Sequence, residues 1–360
     1  MDKLLKAREI INETDKEMAL LFEKRMNAVK LVAEYKKERG LPVFDEAREQ
    51  QVIKNSLLNI EDEEIKEFYV PFLKQTMNVS KRYQHRILEG MNVAYSGVEG
   101  AFAHIAAGRI FPDGKRISYP DFKAAYEAVE KGDCDCAVLP IENSRAGEVG
   151  QVIDLLFSGS LYVNGIFSLD IRHNLIGING ATEKDIEKVI SHQQALQQCA
   201  SYIRNQGYKS ESCENTARAA QYVADKGDKK IAAIASRETA ELYGLSVIRE
   251  NINEASDNTT RFVVVSRTLC TEKRDHSIIV FTVPDEAGAL AHAINVIGHH
   301  GYSMRSIKSR AMKDLMWTYY FYVELVGDLQ SKRGKYMLDE LSEFCDKLKM
   351  IGTYKDNCRL

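Results

Sequence analysis

Over its first 88 residues the chain holds one glycine, Gly40, and two prolines, Pro42 and Pro71. These are the residue types that interrupt regular backbone, so a stretch this poor in them folds into few, long helices. The first helix is expected from Asp2 to Arg39, with apolar residues at Leu4, Ile11, Met18, Leu21, Val32 and Tyr35. It stops at Glu38-Arg39-Gly40-Leu41-Pro42, where glycine ends a helix and proline forbids its continuation. At about 1.5 Å per residue it is about 60 Å long, more than one small domain can cover. Two shorter helices, Asp45 to Asn59 and Glu61 to Leu88, follow, and Pro71 is expected to break or kink the second.

The charges on these helices are spaced to meet. Arg25 and Lys36 differ by about 20° in direction around the helix and share one face. Arg8 lies about 25 Å before Arg25 and about 100° off that face. If the three cations serve one small ligand, Arg8 must come from a second chain, which demands a dimer of antiparallel long helices. Asp45 and Glu49 are one turn apart on the next helix, as are Ser80 and Gln84 on the third. Taken singly, each is a solvated group on a helix face.

Taken together, the stretch AREIINETDKEMALLFEKRMNAVKLVAEYKKERGLPVFDEARE, with Ser80 and Gln84 beyond it, resembles the all-helical chorismate mutase family. The resemblance implies a pocket lined by Arg8, Arg25, Lys36, Asp45, Arg48, Glu49, Ser80 and Gln84, and a domain-swapped dimer in which Arg8 reaches the partner's site. The chemistry fits those residue types. Chorismate is a dicarboxylate that rearranges through a cyclic transition state without proton transfer, so the protein must hold a folded conformer and stabilise charge on the breaking ether bond. Arginine forks suit carboxylates. Lys36 and Gln84 can donate to the ether oxygen, and Asp45 or Glu49 can accept from the ring hydroxyl. A glutamine donates at any pH, so a mutase step nearly independent of acid pH is expected.

From Met91 to about Arg267 the texture changes. Short β-rich runs (NVAYSG, CAVLPIENS, KVISH, IAAIAS, RFVVVS) alternate with helical ones (FKAAYEAVEKG, QALQQCASYIRNQG, TARAAQYVADKG). This alternation predicts a mostly parallel α/β sheet, whose ligands sit at the carboxyl ends of strands. Those ends carry Ser96-Gly97, Glu142-Asn143-Ser144 and Ser191-His192. One run, Asp257-Asn258-Thr259-Thr260-Arg261 before Phe262 to Val265, feeds polar groups straight into a buried strand. It reads either as a loop ending where a strand begins or as a rim that holds a hydroxyl and a guanidinium over a cleft.

The phrases YSGVEGAFAHIAA, PIENSRAGEVGQVIDLL, SHQQALQQC, NTARAA, AAIASRETAELYGL and NTTRF resemble, in this order, the prephenate dehydratases. The resemblance implies two α/β lobes like a type II periplasmic binding protein, substrate between them, and an essential Thr260. Prephenate must lose carbon dioxide and a ring hydroxyl, and the hydroxyl leaves poorly without a proton or strong hydrogen bond. Thr260 is the expected donor, with Glu142 or a water behind it. Arg261 either anchors a carboxylate or forms a structural salt bridge. Asn143, Ser144, Gln194, Gln198 and Thr216 are polar positions of the matching motifs, and about half are expected to touch substrate. His192 is either a general acid or a strand-end histidine holding backbone. Ser96, Val98, Ala101 and Gln193 depart from the family's usual Leu, Pro, Thr and Pro, which touches loop stiffness more than chemistry.

The segment from His276 to Thr353 reads strand, helix, strand, strand, helix, strand, the order of a ferredoxin-like sandwich, with TLCTEKRDH as a linker before it. GALAHAINVI and IKSRAMKDLMWTYYFYVEL resemble the ACT regulatory domain. Gly288, Ala289, Leu290, Ser309 and Arg310 match its effector motifs, while Lys308 and Ala311 replace a usual Glu and Pro. Phenylalanine is the effector this implies. The other reading is a domain kept for dimerisation.

The expected whole is three domains, 1–88, 91–267 and 276–354: a helical chorismate mutase, a two-lobed α/β prephenate dehydratase and an ACT domain. Together they make phenylpyruvate from chorismate with no metal or organic cofactor. A net charge of -3 and 44% apolar content give no reason to expect nucleic acid or an anionic membrane as partner. No apolar run is long enough to span a bilayer, and the start lacks a signal-peptide core, so a cytoplasmic protein is expected, as a homodimer or larger assembly. Seven scattered cysteines argue against a disulfide framework. Three alternatives stay open: a dehydratase with the helices as scaffold, an enzyme acting on arogenate, and a non-catalytic sensor of aromatic metabolites.

Overall fold

In the computed structural model, residues 3–254, 257–312, 319–356 and 358–360 are described. The chain divides into two units, Met1–Asn92 and Val93–Leu360.

The first unit is three helices. The helix α1 spans Lys3–Arg39 without interruption, α2 spans Glu46–Leu57, and α3 spans Glu63–Glu89. Asp2, expected to open α1, lies outside the described residues. Asp45 and Asp62 cap α2 and α3 by accepting from backbone N–H groups of the first turn, the usual role of an aspartate before a helix. The break expected at Pro71 is absent, because Pro71 sits inside a continuous α3. Both it and Glu67, whose carbonyl loses its helical partner, are exposed, so water can meet that carbonyl. Only Ala33 of α1 is buried, and Leu4, Ile11, Leu20 and Leu31 stand more than half exposed.

The second unit holds two sheets. The larger runs in the order Ser303–Ala311, Tyr319–Val326, His276–Thr282, Leu348–Tyr354, Tyr162–Asp170, Thr259–Ser266, Cys136–Asn143, Asn92–Ser96 and Lys115–Tyr119. The smaller runs Ser246–Arg249, Asn174–Gly177, Ile231–Ala235, Lys188–His192 and Lys209–Cys213. The sheets are mixed, where a mostly parallel one was expected. Asn92–Ser96 pairs parallel with Cys136–Asn143, but Thr259–Ser266 lies antiparallel to both its neighbours. Apolar alternation reports burial and is blind to strand direction. This strand returns from the second sheet and inserts between strands already in place, so it runs the other way.

That reversal positions the site. Because the strand is antiparallel to Cys136–Asn143, its first residues lie at the carboxyl end of that neighbour, and Thr260 pairs in register with Asn143. The strand begins at Thr259, so the polar pair Thr259-Thr260 belongs to it and does not form a preceding loop.

The C-terminal strands and helices follow the expected order, strand, helix, strand, strand, helix, strand, although Trp317, expected to start the third strand, lies outside the described residues. Their sheet continues the larger one through a single parallel pair, Gly352 with Val163. The segment expected as a linker is pinned by Cys270, whose N–H donates to Asn164 and whose carbonyl accepts from Gln330.

Candidate functional site

In the helical unit, Arg25 donates from Nη1 to Ser80 Oγ, joining α1 to α3. Burial lowers the pKa of that guanidinium, with Tyr69 acting the other way. Ser80 and Gln84 are buried one turn apart on α3, and Gln84 Oε1 has no partner among the described residues. A buried amide oxygen left unmatched costs free energy, so the arrangement suits a ligand that brings a donor or turns the amide. Lys36 donates to the carbonyl of Val43 at 2.7 Å, and Glu49 pairs with Lys81 at 2.8 Å. Sequence reasoning missed Lys81. It is the next residue after Ser80, and only the α2–α3 contact reveals its partner. Asp45 caps α2 through Oδ1, accepting from Arg48 N–H at 3.0 Å, and the Arg48 side chain donates to Gln51. Arg8 is exposed and makes no hydrogen bond or ion pair among the described residues.

In the second unit a cleft of about 520 Å³ opens between the two sheets. Ser96, Gly97, Asn143 and His192 line it from carboxyl ends of strands, and Thr260 from the reversed strand. Gln194, Gln198 and Thr216 line it from the first turns of helices or, for Gln198, the end of one. His173 and Asn258 also line it, and sequence reasoning assigned neither. Both sit on the crossings between the sheets, where no periodic pattern marks them, although Asn258 opens the NTTRF phrase and that motif could have found it. A second cavity, about 710 Å³, lies beyond Asp121, Phe122 and Gln151, between the helix Gly150–Ser158 and the C-terminal strands.

Thr260 is 9% exposed, and its Oγ accepts from Asn143 Nδ2 at 2.9 Å. His192 lines the cleft, and its Nδ1 accepts the N–H of Gln194 at 3.3 Å, which is the backbone-holding role. Three expected cleft residues do not line it. Neighbouring side chains of a strand point to opposite faces, so Arg261 turns away from Thr260. It donates to Glu324 at 2.7 and 3.0 Å and to Glu142 at 3.0 Å, the salt-bridge alternative. Glu142 also accepts from Lys308 at 2.8 Å. Burial pushes its pKa up, but Lys308 and Arg261 more than offset that and hold it below the ordinary glutamate value. An ionised, doubly paired carboxylate is no proton donor, so Glu142 does not stand behind Thr260. Ser144 instead ties the loop, donating to the carbonyl of Asp257 and accepting the N–H of Thr259.

Gly288 opens the helix Ala289–His299 with φ +90°, the left-handed region glycine favours, and Leu290 packs on the local core. Ser309 is exposed, while Arg310 faces inward to Asp154 at 2.8 Å and Glu148 at 2.6 Å. Among the described residues, no group of His, Cys, Asp and Glu could hold a metal, and no helix is long and apolar enough to cross a membrane.

Comparison with known proteins matches residues 7–85 to the model for chorismate mutase type II and residues 93–269 to that for prephenate dehydratase. A bifunctional chorismate mutase/prephenate dehydratase of Enterobacter agglomerans is 32% identical over 98% of this chain and 95% of its own. Arogenate dehydratase 2 of Petunia hybrida is 34% identical over 73% of this chain and 71% of its own. Among solved structures, a prephenate dehydratase of Arthrobacter aurescens in complex with L-Phe has a TM-score of 0.68 at 26% identity, covering 73% of this chain and 90% of that one. A structure described as a quorum-quenching acylase also gives 0.68, at 30% identity, covering 73% of this chain and 97% of that one. Two matched models in the order the helical and α/β units demand, and a full-length relative with the same two activities in its name, place this chain in the bifunctional chorismate mutase/prephenate dehydratase family.

Proposed function

We propose that the helical unit rearranges chorismate to prephenate and that the cleft of the second unit converts prephenate to phenylpyruvate, the route to phenylalanine. The observation that carries the second step is the Thr260 hydroxyl, lining the cleft with its oxygen accepting from Asn143. Its proton has no acceptor among the described residues, so it is available to the leaving hydroxyl of the substrate. As the carboxylate departs as carbon dioxide, its bonding pair forms the ring's new π bond and expels the C4 oxygen. A hydrogen bond from Thr260 lowers the cost of that charge, and water supplies the proton that completes the released water molecule.

For the first step, Arg25, Lys36 and Gln84 supply the cations and donor, and Asp45, Arg48, Glu49 and Ser80 complete the pocket. Arg8 acts in the site of a second copy. The exposed apolar residues of α1 support that homodimer, since a partner helix would cover them. The C-terminal βαββαβ segment is read as an ACT domain that takes phenylalanine at Gly288 to Leu290 and Ser309.

The test is phenylpyruvate formation from chorismate by wild type and by Thr260→Ala. Wild type is expected to make it, and the variant to stop at prephenate with the dehydratase step down at least about a hundredfold. Full activity in the variant sinks this assignment of the cleft. Arogenate is a second substrate reading, motivated by the Petunia relative; turnover of both substrates side by side separates the two.

A further inference from the structure

Five side chains make one hydrogen-bonded line along the cleft, and backbone fixes the direction of one end. Amide and imidazole orientations are ordinarily a matter of choice, but here one end is fixed by backbone. Asn143 Oδ1 accepts the N–H groups of Arg145 at 3.0 Å and Ala146 at 2.9 Å, and a backbone N–H can only donate. Asn143 Nδ2 therefore faces the other way, donating to Thr260 Oγ and to Asn258 Oδ1, both at 2.9 Å, with the Thr259 carbonyl farther off at 3.2 Å. With its oxygen taken, Asn258 donates from Nδ2 to Gln198 Oε1 at 2.9 Å. That same oxygen meets His173 Nε2 at 2.9 Å, so Nε2 carries the proton. His173 Nδ1, buried and without a partner among the described residues, is then a bare lone pair. Burial lowers the pKa of this histidine and so favours the neutral form, against the bond it donates to Gln198.

The consequence falls on Gln198. Its oxygen is held inward by two donors, and its amide N–H2, with no partner among the described residues, is left to the cleft. We propose that Asn258 and His173 are positioning residues that lock the Gln198 amide with its donors toward the substrate, where they bind a carboxylate. Asn258 is 2% and His173 3% exposed, so neither orientation can be exchanged for water. This deepens the dehydratase reading of the cleft and rests on it.

Asn258→Asp tests the direction. An aspartate still accepts from Asn143 but has nothing to give Gln198, so the Gln198 amide turns and shows its oxygen to an anionic substrate. The KM for prephenate is expected to rise about tenfold or more at pH 8, with kcat changed less. A protonated carboxyl restores both donor and acceptor, and burial raises its pKa, so KM should fall back toward wild type on acidification. The charged and titratable groups around this position are Asp257 paired with Arg145, Asp170 paired with Arg359, Glu254 holding the Ser201 N–H, and His173. All are common to wild type, whose profile is the reference. His173→Gln keeps a donor toward Gln198 and should hold KM nearer wild type than His173→Leu. Thermal melts report folding in each case. A KM for Asn258→Asp that equals wild type at every pH, or is raised equally at every pH, overturns the proposal, as does equal KM in the two His173 variants. Failure of the underlying reading shows itself separately, as full dehydratase activity in Thr260→Ala.

Discussion

Arg261 shows how one residue can carry a functional motif and serve the fold. It lies beside Thr260 in sequence but on the opposite face of the strand, 3.0 Å or less from Glu142 and Glu324. Glu324 is 1% exposed and also accepts from Tyr322 and Tyr354. A buried carboxylate with three donors is worth keeping whole. Glu324→Ala leaves Arg261 only Glu142 as an anion and two tyrosine hydroxyls without their acceptor, and should cost about 2–4 kcal/mol in denaturant unfolding. The pH dependence has a definite sign. Burial works to raise the pKa of Glu324, but Arg261 holds it below the ordinary value, Glu142 is likewise lowered, and His173 is lowered by burial. Each contributes stability that is present above its unfolded pKa and lost as pH falls toward the folded one. The melting temperature should therefore drop first below about pH 6.5, as histidine protonates in the unfolded chain, and again below about pH 4.3 for the glutamates. The mutase rate should stay flat on the acid side, because Gln84 does not titrate; Gln84→Glu should make that rate rise with acid, read from kcat against pH.

At the scale of elements, much was legible. The long α1 followed from the scarcity of glycine and proline, and the C-terminal strand and helix order from its alternation of periods. Two things were not. The direction of Thr259–Ser266 left no trace in its composition, and Pro71 was tolerated because its orphaned carbonyl faces water. In the cleft, Thr260 and Asn143 stood out by motif; Asn258 lay in the same NTTRF phrase without being assigned a role, and His173 lies on a crossing without periodicity. Lys308, a departure from the effector motif, found its meaning only when strand Ser303–Ala311 placed it 2.8 Å from Glu142. The pairing of Gly352 with Val163 gives a sharp test of how closely these strands meet. A Cβ on Gly352 would come 2.1 Å from the Val163 carbonyl oxygen, so Gly352→Ala must part the strands. It should destabilise the second unit by about 2–4 kcal/mol in denaturant melts.

For the whole molecule, the dimer reading makes a prediction that no single-chain site can satisfy. Arg8→Ala and Lys36→Ala should each lose mutase activity. If Arg8 serves the partner's site, a heterodimer of the two has one site with both residues intact and one with neither. Unfolding and refolding an equal mixture should then restore about a quarter of wild-type activity, half the dimers being mixed and half their sites whole. No recovery would place Arg8 and Lys36 in the same chain's site or Arg8 in none.

The seam at Gly352 also bears on how such a chain can be cut or recombined. The helical unit ends at Asn92, where the first α/β strand starts, a boundary that falls between elements. The dehydratase cannot be parted so easily from the C-terminal strands. Strand Tyr162–Asp170 has its outer edge covered by Gly352 and by the C-terminal tail, whose Cys358 carbonyl accepts from Ser168 at 2.8 Å. A chain ended near residue 269 would bare that edge, an open template for other strands, and leave Arg261 without its main anion. A chain truncated at this joint should therefore yield aggregate before it yields an active dehydratase, read as soluble yield and dehydratase activity against the full chain.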